Sequence, residues 1–435
     1  MKLEELGIAD LATRIRTRQT SSVEITTTLL DRARTLDPTI RAWSSLDKDL
    51  TVKAAKQRDF ELNKKSELGP LHGVPIGIKD LINTAEFPTR MGSPIFQHFR
   101  PTSNAHLVIM LEKAGAIILG KTVTTQFGTF DPAETRNPWN KDHTPGGSSS
   151  GSAAAVAARM CPGAIGSQTV ASIARPAAFC GVVGFMPTAS RISRNGIFPI
   201  AQSLDHAGIF SRSIIDTSLL FNAIASSKLE RPVSTDRVKL GIAKGYFQDK
   251  TSPDAWESHM SLIESIQSNG VPCVEIDLPN IFYRQAAILR TILRKEIAAI
   301  HDLLHSRYAE DYRPAIRALI ETGSLTPTTD YLKALHARAL YQTQMLELFE
   351  DCDLIVSPGA PDAAPRSLSH TGDPSLSSPW TLADFPTISL PAMLNSQGMP
   401  LGIQVTGPPH SESSLLNAGL LIEQIVDFQS KPTQF

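Results

Sequence analysis

The chain has 435 residues, with 42 basic and 43 acidic side chains and a formal net charge of −1. At 41% hydrophobic and 20% charged residues it can bury a sizeable core, which excludes an intrinsically disordered chain. Without excess basic charge, neither a nucleic acid nor an anionic membrane is an expected partner.

No run approaches the roughly 18 uninterrupted apolar residues of a membrane span, and the charged N-terminus lacks the apolar core of a secretory signal. The four cysteines (Cys161, Cys180, Cys273, Cys352) match no zinc or redox spacing. Together these features predict a cytoplasmic protein.

Residues 3–35 read as two amphipathic helices, with capping residues at Thr20-Ser21-Ser22 between them. A short buried strand follows at Gly73–Ile78. Ala105–Ala114 reads as a helix, Ala116–Gly120 as a strand, Ser152–Met160 as an alanine-rich helix and Gly181–Phe185 as a strand. Ile214–Ile224 then predicts a helix, Val238–Ile242 a strand, and 254–350 a largely helical segment.

A strand opens at Asp353–Val356, and a last helix begins near Ser411. The low-periodicity stretches 225–236 and 357–379 read as surface loops. This alternation predicts an α/β fold, with helices covering a large sheet in one domain over 1–435. Its parts are a core at about 70–216, the helical segment at about 254–350 and a sheet/helix part at about 353–430.

Three serine and lysine motifs compete for the chemistry. Gly147-Ser148-Ser149-Ser150-Gly151 matches the G-x-S-x-G elbow of α/β-hydrolases, but Asn140–Pro145 before it is a polar loop where the elbow needs a strand. The same turn could cradle a phosphate, yet it lacks the P-loop lysine. Ser45-Leu46-Asp47-Lys48 matches S-x-x-K alone, in a charged helix-like setting that reads as surface.

Lys79 differs, because it emerges from the apolar run Val74–Ile78, where desolvation disfavours the ammonium. Taken alone, it could equally be a strand-end lysine paired with Asp80. Ser172, preceded by the small or polar residues Gly166–Ala171, could have backbone amides around it as oxyanion donors, or could simply pack. His72, His106, His143 and His206 are isolated from metal-ligand spacings, so no metal is expected.

Together, Gly73–Asp80, Gly115–Thr122, Pro145–Ser152, Ser172–Gly184, Ser203–Gly208, Pro386–Pro391 and Gly402–Gly407 resemble the amidase signature family of Ser–Ser–Lys hydrolases. The resemblance covers most of the chain and implies a large twisted mixed β-sheet with α-helices on both faces. It implies Ser172 as nucleophile, Ser148 as relay behind a cis peptide bond, and Lys79 as base. The 24-residue separation of the two serines agrees with the family.

The amides of Thr169, Val170, Ala171 and Ser172 become the implied oxyanion hole, with Ser149, Arg175 and Gln168 supporting the site. Met91, Phe130, Val170, Phe198, Ile200 and Trp380 become pocket candidates, suggesting an apolar or aryl-bearing small amide or carbamate (urethane). No metal or organic cofactor is implied. The resemblance leaves room for a homodimer and for a moving rim at 190–203.

The sequence departs from the family at several positions. Val170-Ala171 stands where Gly-Gly is usual, and valine resists positive φ, so either the turn avoids that conformation or it is strained. Gln168 stands where aspartate is common, Gln126 where glutamate is, and Arg175 lies one residue later than usual. These departures favour a stand-alone amidase over an A-type amidotransferase component. The intact Lys79, Ser148 and Ser172 argue against a degenerate binding protein.

Overall fold

The buried apolar runs of the sequence become strands of a single sheet in a computed structural model, which describes residues 2–64, 67–229 and 238–433. The strands are β1 (Trp43–Leu46), β2 (Pro75–Lys79), β3 (Ile117–Thr122), β4 (Gly163–Gln168), β5 (Val183–Met186) and β6 (His206–Ser211). They continue with β7 (Leu240–Ala243), β8 (Cys273–Ile276), β9 (Leu354–Pro358), β10 (Thr387–Leu394) and β11 (Pro400–Thr406).

Their order is β1-β3-β2-β4-β6-β5-β10-β11-β9-β7-β8. β2 runs parallel to β3 and β4, and β7 parallel to β8 and β9, while the β4-β6-β5-β10-β11 centre is antiparallel. The sheet is therefore mixed, and helices cover both faces, as expected for the α/β class.

The predicted helices settle close to their expected bounds, at Ile8–Arg16, Ser22–Ile40, His106–Lys113, Ile214–Ile224 and Glu412–Val426. Ser21 caps the second of them through the Glu24 amide, satisfying a donor that the helix leaves unpaired. The serine–alanine helix lies at Ser150–Ala157, and its small residues have a packing reason. A Cβ on Gly151 would come within 2.2 Å of the Ala42 carbonyl oxygen.

Two readings change. Ser45 belongs to the edge strand β1, and Asp47 caps the following helix, Lys48–Leu62. The segment 254–350 also contains β8. Of the expected loop at 225–236, residues 230–236 lie outside the described residues.

Among the described residues, two large apolar cores and a smaller third around Phe179 and Met399 hold the molecule together. The largest lies between the sheet and the flanking helices; the second joins the helices at 285–346 to the loops at the C-terminal ends of β2 and β4. No helix among the described residues is long and apolar enough to cross a membrane.

Candidate active site

Lys79 ends β2, and its side chain is wholly buried. Its Nζ lies 2.8 Å from Ser148 Oγ, 2.9 Å from Ser167 Oγ and 3.4 Å from the Ser167 carbonyl oxygen. Burial holds the lysine down at about 7, while the negative charge of Asp205 acts the other way.

A hydroxyl can accept a hydrogen bond from the amine or donate one to it, so these partners suit a neutral amine with a lone pair. Ser148 precedes the helix Ser150–Ala157, and the Gly147–Ser148 peptide bond is cis.

Arg175 donates to the Gly147 carbonyl at 2.6 Å and ties it to Thr371 Oγ1 (3.1 Å) and the Gly372 carbonyl (2.8 Å). Ser149 Oγ donates to the Ser167 carbonyl at 3.2 Å, and Ser150 Oγ to the Gly146 carbonyl at 2.8 Å. The serine run is thus pinned from both sides.

Ser172 stands on the turn between β4 and the helix Ala174–Cys180. Gln168 organises that turn. Its Oε1 accepts from the amides of Ile173 (2.7 Å) and Ala174 (3.0 Å), and its Nε2 donates to Thr381 Oγ1 at 2.9 Å. Thr381 in turn donates to the Val170 carbonyl at 2.8 Å. An amide side chain therefore holds both the helix start and the carbonyl side of the turn.

Neither Val170 nor Ala171 is among the residues with positive φ, so the turn avoids the conformation that glycine would ease. The amides of Val170, Ala171 and Ser172 donate to no protein acceptor among the described residues. Three free donors on one turn can bind a developing oxyanion.

A small cavity beside Ser172 is lined by Phe130, Val170, Ile200 and, from the helical segment, Leu293 and Leu319. Of the other pocket candidates, Phe198 lines a neighbouring larger cavity. Met91 lies buried in the same apolar core as Val170 and Ile200. Trp380 is fully buried and stacks on Phe247 at 5.7 Å, lining neither cavity.

Ser167, Leu293 and Leu319 escaped the sequence reading. Ser167 lies in a small-residue strand without alternation, and the leucines come from a segment remote in sequence. Gln126 clasps that segment: it donates to the Asp311 carbonyl and accepts from the Arg313 amide, both at 2.7 Å. At the end of the rim at 190–203, Ser203 Oγ donates to Glu296 at 2.6 Å and Arg338 to the Ser203 carbonyl at 2.7 Å. Among the described residues no group of three histidine, cysteine or carboxylate side chains could hold a metal ion.

The amidase family model matches residues 24–416. The chain belongs to the amidase family, whose members hydrolyse carbon–nitrogen bonds. It is 32% identical to the A-type component of a glutamyl-tRNA(Gln) amidotransferase from Desulfatibacillum aliphaticivorans, covering 99% of each chain.

Its fold matches the native peptide amidase of Stenotrophomonas maltophilia at a TM-score of 0.85 and 28% identity, over 98% of both chains. It also matches, at a TM-score of 0.90 and 26% identity, a structure from a vestigial complex linked to the origins of an s-triazine catabolic enzyme. That match covers 99% of this chain and 100% of the other.

Proposed function

We propose that the protein is a stand-alone hydrolase of small amides, extending to aryl carbamates, that works through Ser172, Ser148 and Lys79. The observation that carries this reading is Lys79 Nζ held 2.8 Å from Ser148 Oγ in a wholly buried setting, with no carboxylate in contact among the described residues.

Neutral Lys79 takes the Ser148 proton as Ser148 takes that of Ser172, and Ser172 Oγ attacks the substrate carbonyl. The free amides of Val170, Ala171 and Ser172, with that of Thr169, stabilise the oxyanion, one such donor being worth about 3 kcal/mol. The proton returns through Ser148 to the leaving amine as the carbon–nitrogen bond breaks. Water then attacks the acyl-enzyme by the reverse route and frees Ser172.

A fluorophosphonate probe tests the reading directly: it should label wild type at Ser172 and fail on Ser172→Ala. An unlabelled wild type would overturn the hydrolase reading. A panel of anilides, aliphatic amides, biuret-like compounds and carbamates defines the bond. Preference for a charged, non-aromatic substrate would contradict the apolar lining of Phe130, Val170 and Leu293.

The similarity to A-type amidotransferase components along the whole chain favours a second reading, in which the site releases ammonia to a partner. Purification of the single chain as an active hydrolase would exclude it; activity only within a stable complex would replace the first reading.

A further inference from the structure

Two cavities meet at one side chain. The cavity beside Ser172 encloses only about 20 Å³. A water molecule needs roughly 10–15 Å³ of such space, so this cavity has room for a group about the size of one water and for no longer chain. A second cavity of about 320 Å³ lies against the segment Arg194–Ile200 and reaches Ser167 and Asp205. Ile200 is the only residue common to the two linings among the described residues.

Its backbone is held by Asp205. The Asp205 carboxylate accepts from the Ile200 amide at 2.9 Å and the Ala201 amide at 3.2 Å, and the Thr169 hydroxyl donates to it at 2.6 Å. The wall is thereby tied to the same turn that carries Ser172. The Ile200 side chain fills the notch over Gly128, which has φ +72; a Cβ there would come within 2.6 Å of Ile200 Cδ1. The Ile200 side chain therefore stands between the two spaces, next to the hydrogen bond that joins Thr169 of one lining to Asp205 of the other.

We propose that Ile200 sets the upper size of the acyl group that this site accepts, an inference that rests on Ser172 being the nucleophile. With isoleucine in place, the acyl side takes short groups such as acetyl. Shortening the side chain opens the Ser172 pocket into the larger space along Ile197 and Phe198, which suits a longer alkyl or an aryl acyl group.

The test uses p-nitroanilides of acetate, butanoate and benzoate, so that only the acyl group varies, on wild type, Ile200→Val and Ile200→Ala. Wild type should prefer acetyl. Ile200→Ala should raise kcat/KM for butanoyl and benzoyl relative to acetyl by about 10-fold or more, a pocket methylene being worth at least that much. Ile200→Val should give a smaller gain in the same direction, and it decides the matter if the alanine variant does not fold.

A parallel change across the series, or a wild type that already prefers benzoyl, overturns the proposal. Fluorophosphonate labelling of wild type at Ser172 separates the two failures. A labelled enzyme with an unchanged acyl series loses the size limit and keeps the hydrolase reading. An unlabelled, inactive wild type loses both.

Discussion

Two lysines lie side by side in the sheet, equally buried, and their surroundings give them opposite characters. Lys79 ends β2 opposite Thr122 of β3, and Lys121 pairs with Ile78 one residue before it. Lys121 sits 3.3 Å from the Asp80 carboxylate and donates at 2.7 Å to both the Ile82 carbonyl and the Thr89 hydroxyl.

Asp80 is itself held by the Ser44 hydroxyl and the Arg90 amide. Burial pushes Lys121 down to about 8 and Asp80 up, while each charge holds the other ionised. Lys79 touches two hydroxyls and one carbonyl, and Asp205 acts on it only at a distance. Burial alone does not make a base; burial without an adjacent counter-ion does.

The sharpest test of that contrast is turnover. Lys79→Met should lower kcat by about 10²–10⁴-fold, the scale of a lost general base, in a steady-state assay on whichever amide the panel selects. Near-normal rates would refute the proton route.

Stability should divide the pair the other way. Lys121→Met leaves Asp80 buried and unpaired, which should cost about 3–5 kcal/mol in urea unfolding, whereas Lys79→Met strands no charge, removes the cost of burying an amine and should not destabilise the fold at neutral pH. Equal losses in the two variants would erase the distinction.

How much of this was legible beforehand follows the same line. Lys79 announced itself because a charged residue closed an apolar run, and the helices at Ile8–Arg16 and Ile214–Ile224 followed from apolar periodicity. β4 and β6 did not show, because a central strand buried on both faces has no alternation, and Gly163–Gln168 is built of small residues that let neighbours approach.

Ser167 was hidden with β4, although it supplies two of the contacts to Lys79. The departure at Val170-Ala171 posed a choice that local sequence could not make. The turn is resolved by Gln168 and Thr381, 213 positions apart, meeting across the fold. Side chains that converge only through topology, such as Leu293 and Leu319 beside Ser172, leave no trace in local pattern.

The subtlest consequence of the contrast is in pH. Lys79 must be neutral to accept a proton, and its folded value lies at about 7, so kcat/KM should rise about tenfold per pH unit below 7 and flatten above it. Removing the charge of Asp205, which favours the ammonium, should move this limb to lower pH in Asp205→Asn. A limb that stays near the ordinary lysine value of 10.5 would mean that Lys79 is a cation like its neighbour.

Stability carries the same signature. Between about 7 and 10.5 the unfolded chain keeps the Lys79 proton that the folded chain has lost, so stability should rise with pH through that window. Below it both states are protonated, and the folded state bears the full cost of the buried charge. Lys79→Met should remove this share of the rise and leave the share of Lys121, which begins at about 8. Unfolding curves of the two proteins that stay parallel across this range would place the lost proton on some other group.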